Sequence, residues 1–194
     1  MPIQSRFMPL PTMPLGTPPR QARIHTHATP GDRAWSVFTD LRYSACVTVD
    51  HLDPLVATAE LLHKCGVHMG LVTDARGEIV GMVSSEQLRG ERAMQRATAA
   101  QVHHDELTLE DLMTPLADWA VVDVGELAHA RVGDIVQTLH ATGQRYLFVT
   151  EQVDGETVLR GLFSARRIEA ALESQLASDG HAHSFAELEA LLGR

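Results

Sequence analysis

Two stretches of the chain pass from a glycine through two apolar residues to a serine and then into a run of helical periodicity. They are Gly81-Met82-Val83-Ser84 and Gly161-Leu162-Phe163-Ser164, with the helical runs predicted over residues 86–96 and 165–177. A strand that ends on serine and turns straight into a helix sets a hydroxyl and unpaired backbone N–H groups at the positive end of the helix dipole. That suits a phosphate or ribose oxygen, and it is equally the chemistry of an ordinary N-cap. Three residues past the serines stand Gln87 and Arg167. Gln87 can donate and accept hydrogen bonds, whereas Arg167 only donates.

Other reactive residue types form no comparable pattern. Six of the eleven histidines form local clusters, at His25 and His27, at His103 and His104 with Glu106, and at His181 and His183, all in predicted loops or tails. Zinc needs three or four ligands converging from a rigid frame, so no metal site is expected. Cys46 and Cys65 match no ligand spacing and sit in apolar-periodic segments, which predicts buried, reduced thiols and suits the cytoplasm. Nothing resembles a nucleophile elbow, a phosphate-cradling glycine loop or a pair of carboxylates on one face, so no enzyme is expected. Sixteen Lys and Arg against 25 Asp and Glu give a formal charge of -9, which repels nucleic acid and anionic membrane surfaces. The sequence has neither an apolar stretch of membrane-spanning length nor a secretory leader pattern, and a cytoplasmic protein is expected.

The elements that must position the two junctions are themselves duplicated. The predicted helix ends at Gly66 and Gly143 lie 77 residues apart, and at that offset Leu55, Ala59 and Leu62 fall on Val132, Val136 and Leu139. His68 falls on Arg145. The junctions align at an offset of 80 and Thr39 aligns with Thr114 at 75, so the insertions sit in loops. Each copy reads as strand, helix, strand, turn, strand, helix. Between them residues 107–115 predict a short helix capped by Thr108 with Asp111 and stopped at Pro115.

"VFTD" and "LMTP" ahead of each copy, "KCGVHMGLVTDARGEIVGMVSSEQL", and "ATGQRYLFVTE" followed by "LRGLFSARRI" together resemble a tandem pair of cystathionine-beta-synthase (CBS) domains, or Bateman module, over residues 36–176. The resemblance implies an α/β (α+β) fold of two pseudo-twofold-related repeats, each a small, mostly three-stranded sheet with two helices. It also implies a homodimer through the CBS helices and adenosyl ligands in the clefts between repeats. AMP, ADP, ATP or S-adenosylmethionine would then be a regulatory ligand, with no cofactor required. In nucleotide-binding members the third residue after the serine is Asp or Asn and holds the ribose; here it is Gln87 or Arg167, which weakens the second site most. The rest of each pocket would come from Cys46, Val47 and Thr48 or from Val121, Val122 and Asp123. His68, Ser84, Arg145 and Ser164 complete the candidate set, with Arg145, Arg166 and Arg167 available to phosphate.

The resulting division is a flexible Pro-rich arm over 1–33, repeats over 34–102 and 103–177, and a C-terminal amphipathic helix over 178–194, capped by Ser184 with Phe185, Leu188, Leu191 and Leu192 on one side. Functionally, the sequence reads as a stand-alone regulatory sensor of an adenine nucleotide or adenosyl compound that signals by conformational change to an unknown protein partner in trans. The alternative is a ligand-free interaction or dimerisation module. Apolar stripes at Leu88 and Met94, and at Ile168, Leu172 and Leu176, exceed what a small sheet needs and would serve the dimer.

Overall fold

The structure, a computed structural model, describes residues 27–103 and 106–178. Strands β1 (Thr39–Asp40) and β2 (Val47–Asp50) lead to helix α1 (Leu55–Lys64) and the hairpin β3 (Met69–Thr73) and β4 (Ile79–Ser84). Helices α2 (Ser85–Arg89), α3 (Glu91–Ala100) and α4 (Leu109–Leu112) follow. The second half holds β5 (Thr114–Pro115), β6 (Ala120–Asp123), α5 (Val132–Thr142), β7 (Tyr146–Val153), β8 (Glu156–Ser164) and α6 (Ala165–Ser178). The expected N-terminal arm and C-terminal helix lie outside the described residues apart from 27–33 and 178.

The α/β class and the pairing of two related repeats stand, but each sheet has four strands rather than three, in the orders β2-β3-β4-β5 and β6-β7-β8-β1. The extra strand comes from the other half of the chain. β1 pairs antiparallel with β8, Thr39 opposite Leu162 and Asp40 opposite Gly161, while β5 pairs with β4, Thr114 opposite Met82 and Pro115 opposite Gly81. Even the irregularities repeat, with a register shift at Val72/Thr73 in one hairpin and at Val149/Thr150 in the other. A two-residue strand has no hydrophobic period to read, which is why sequence reasoning misses both lead-ins.

Each lead-in carries its flanking turn with it. Leu107, Leu109 and Leu112 bury into the first-repeat core with Leu55, Leu62 and Val83. Ala34 and Val37 enter the second-repeat core with Val132, Leu139 and Phe163. Residues 27–33, expected in the arm, lie on the helices of the second repeat. Ala28 is buried and donates its N–H to the Ala171 carbonyl (3.2 Å), and the carbonyls of Asp32 and Pro30 accept from Val132 and Gly133 (both 2.9 Å). Those bonds satisfy N–H groups that the first turn of α5 leaves without helical partners. A third cluster, Met69, Leu71 and Met82 with Phe148 and Leu162, joins the two sheets, so helices cover the outer faces and side chains from both sheets fill the middle.

Helix ends follow local chemistry. Gly66 and Gly143 take φ of 66° and 64° just past α1 and α5, the left-handed geometry glycine adopts without steric cost. Thr108 and Asp111 form the expected capping box. Pro54 holds the N-cap position of α1, and the carboxylate of Asp53 just before it accepts from the Asp50 N–H (3.0 Å). Three other expectations change. The run after Ser84 breaks at Gly90 into α2 and α3; Cys65 is exposed at the end of α1, and Cys46 is only partly covered. Leu88, Ile168 and Leu172 are spent on the repeat cores, Met94 faces solvent, and the side chain of Leu176 lies outside those described.

Candidate functional site

The glycine of each junction has a packing cause. A Cβ on Gly81 would stand 2.8 Å from both Met113 Sδ and the Thr114 carbonyl oxygen. One on Gly161 would collide with the Phe38 ring and the Thr39 carbonyl oxygen. The exchanged lead-in lies directly on the junction strand, and only glycine leaves it room.

The serine and its third neighbour are also engaged. Ser84 Oγ accepts the Gln87 N–H (3.2 Å) while Gln87 Oε1 accepts the Ser84 N–H (2.8 Å), a complete capping box. Gln87 Nε2 donates onward to Thr114 Oγ1 at 2.8 Å. In the second junction Arg167 donates to Thr39 Oγ1 at 3.0 Å. Each junction residue thus bonds the threonine of the lead-in strand that the opposite repeat supplies. The two threonines are visible in the sequence as aligned positions; their partners are not, because they lie 27 and 128 residues away.

Beside the first junction opens a cavity of about 360 Å³, within the range roughly 300–1,000 Å³ typical of small-molecule sites. Ser84, Gln87 and Met82 line one side; Trp119, Tyr146 and Phe148 form an aromatic wall. The Trp119 and Phe148 rings stack with centroids 3.7 Å apart at 15°, and Trp119 Nε1 donates to the Thr114 carbonyl (3.1 Å). Burial pushes the Tyr146 phenol above its ordinary pKa, so it stays a neutral donor. At the mouth Glu86 pairs with Arg145 (3.7 Å), and Glu91 and Arg92 stand at the start of α3. A smaller pocket of about 80 Å³ brings together His68, Ser84, Arg145 and Ser164 with Glu86 and Arg166, joining both junctions.

The predicted residues therefore fall into groups. Ser84, Gln87 and Arg145 line the large cleft; His68 and Ser164 join Ser84 and Arg145 in the small pocket. Arg167 is exposed and tied to Thr39. Cys46 packs on the cluster between the sheets, with burial raising its thiol pKa, while Val47 and Val122 lean on the repeat cores. Thr48 and Val121 are exposed, and Asp123 accepts the Gly125 N–H (2.8 Å) in a local cap. Sequence reasoning missed Trp119. It set Cys46–Thr48 against residues 121–123, but the pairing of Val47 with Gly70 and of Ala120 with Leu147 makes Ala120 the counterpart of Val47 and Trp119 that of Cys46. The segment from Thr114 to β6 is two residues shorter than that from Thr39 to β2, and that deletion displaced the alignment. Among the described residues no group of three or more His, Cys, Asp and Glu is placed to hold a metal; His25, His104, His181 and His183 lie outside them.

No protein-family model matches the chain, and no curated protein matches it. Solved structures do. An uncharacterized conserved protein from Pyrococcus horikoshii is similar over 74% of this chain and 93% of its own, at 14% identity and a TM-score of 0.51. CBSX2, solved in complex with AMP, is similar over 73% and 96% at 23% identity and a TM-score of 0.47. The CBS-domain containing protein ATU1752 from Agrobacterium tumefaciens is similar over 67% and 87% at 20% identity and a TM-score of 0.47. With its duplicated strand order, matched bulges and reciprocal lead-ins, the chain has the fold of a tandem pair of CBS domains.

Proposed function

We propose that the protein is a non-catalytic regulatory module that binds one adenosyl ligand, in the first cleft. The observation that carries this is the aromatic wall of Trp119, Phe148 and Tyr146 around a cavity of nucleotide size, facing the polar groups of Ser84 and Gln87. A stacked purine suits such a wall, because aromatic faces hold nucleobases by dispersion and offset stacking. Cleft residues come from both repeats, so a ligand there favours one relative arrangement of the two halves, which a protein partner in trans would read. The repeats are taken to divide near residues 102 and 103, and the module to work as a cytoplasmic homodimer. Among the described residues no helix is long and apolar enough to cross a membrane. With Leu88, Ile168 and Leu172 buried, a helix-mediated dimer would draw on exposed Val56, Leu61 and Met94.

AMP, ADP, ATP and S-adenosylmethionine are the ligands to test, by calorimetry on the full chain with and without magnesium. One of them binding at one site per chain is the expected result; absence of binding across the set would sink the reading. A ligand-free interaction module is the second reading, favoured by the completeness of the Ser84–Gln87–Thr114 bonding, which leaves no polar group of the junction needing a ligand.

A further inference from the structure

Helix α3 differs from everything at the matching place in the second repeat. The chain breaks at Gly90, where a Cβ would stand 2.8 Å from the Glu86 carbonyl oxygen, whereas α6 runs unbroken through the corresponding Ala170. Beyond the break, among the described side chains of α3 only the small ones of Ala93 and Ala97 are buried, and Met94 is 62% exposed. An element with so little buried apolar surface opens at low cost. On its far side a groove of about 440 Å³, lined by Gln95, Arg96, Glu110, Asp111 and Met113, separates it from α4 and the lead-in.

Arg92 stands where these features meet. It lines both this groove and the first cleft, and among the described residues no ion pair or side-chain hydrogen bond holds it. The other cleft cation, Arg145, is already paired with Glu86. Glu91, adjacent and exposed, is the carboxylate that an incoming anion must avoid. A guanidinium on a weakly anchored helix, hinged at a glycine beside a cavity, can follow a ligand at the cost of only the small contacts that Ala93 and Ala97 make with the first-repeat core.

We infer that α3 is a moving wall of the first cleft, turning about Gly90 so that Arg92 meets the anionic end of a bound nucleotide while the base lies at Trp119. This rests on the reading of that cleft as a nucleotide site. Ligand occupancy then changes the groove against α4 and the surface carrying Met94 and Gln95, a route from cleft to outer face that starts at a helix break with no counterpart at Ala170 of α6.

The test combines calorimetry with hydrogen exchange on the full chain, using adenosine, AMP and ATP as the added compounds. ATP should slow exchange of the amides of residues 91–100, which in the free protein should exchange faster than those of α1. Arg92→Ala should weaken ATP about tenfold or more and adenosine less than twofold, the pattern of a charge-assisted phosphate bond. Arg96→Ala, one turn on and facing only the groove, should leave affinity unchanged, and Arg92→Lys should keep part of it. ATP binding with equal affinity in wild type and Arg92→Ala, or with unchanged exchange over 91–100, overturns the moving wall and leaves the cleft standing. If wild type binds none of the three, both ideas fall.

Discussion

The two strand-to-helix junctions share a backbone plan and differ in what surrounds them. At the first, Trp119, Tyr146 and Phe148 stand over a cavity and the following helix is broken at Gly90. At the second, the matching residues of the paired strands are Cys46, Met69 and Leu71, which carry no aromatic ring although both sets pack on the cluster between the sheets, and α6 continues for 14 residues. The lead-in strands and the glycines beneath them are common to both, so they belong to the fold. The aromatics and the helix break are found on one side only, which marks them as the specialised part.

The common part can be broken first, and should cost most. Gly161→Ala drives a methyl group into the Phe38 ring and the Thr39 carbonyl, and should destabilise the protein by about 3 kcal/mol, the upper part of the range for overpacking. Gly81→Ala meets the flexible Met113 thioether as well as the Thr114 carbonyl and should cost about 1–2 kcal/mol. Urea unfolding of the two variants reads the difference; equal and negligible losses would show that the lead-ins do not press on the junctions. Trp119→Ala sharpens the comparison from the specialised side. It should weaken adenosyl binding by about tenfold or more, the scale of a lost base–aromatic stack, whereas Cys46→Ala at the matching position should leave affinity unchanged.

Smaller effects separate the polar contacts. Gln87→Ala removes a capping box and the bond to Thr114, and should lower stability by about 1 kcal/mol in the same unfolding assay. Arg167→Ala removes a single exposed bond and should change it by less than about 0.5 kcal/mol. Acid should distinguish the seams as well. Asp40 is held well below the usual carboxylate range, first by its hydrogen bonds from Arg160 and next by Arg42. Its native pKa is depressed, so its contribution is complete above the unfolded value of about 3.9 and is lost as pH falls below it. The matching residue at the other lead-in, Pro115, has no charge to lose. Asp40→Asn should therefore flatten the acid limb of the stability curve; an unaltered limb would remove Asp40 from the account.

Much of the fold is legible in the sequence because it rests on local signals. The periodicity of α1 and α5, the glycines at their ends and the Thr108–Asp111 box each act within a few residues. Of the candidate set, Ser84, Gln87 and Arg145 were read from recurring spacing, and all three line the first cleft. What stayed hidden is set by long-range pairing. Thr39 finds its strand partner at Leu162, and nothing near residue 39 announces it. Trp119 was lost to a two-residue difference in loop length, which set Cys46 against Val121, two positions further along the strand on the same face, instead of against Trp119. Cys65 and Met94 fit apolar patterns but lie where their helices meet solvent.

The central claim, one ligand in the aromatic cleft, has a direct reporter. The sequence contains two tryptophans, and Trp35 sits away from the cleft against Phe38. In a Trp35→Phe protein Trp119 is the single indole, so its emission can be titrated with AMP, ATP and S-adenosylmethionine while calorimetry counts sites. A saturable change with one of these compounds, at a stoichiometry of one per chain, is the predicted result. Saturable binding that leaves Trp119 emission untouched, or no binding at all, would contradict it.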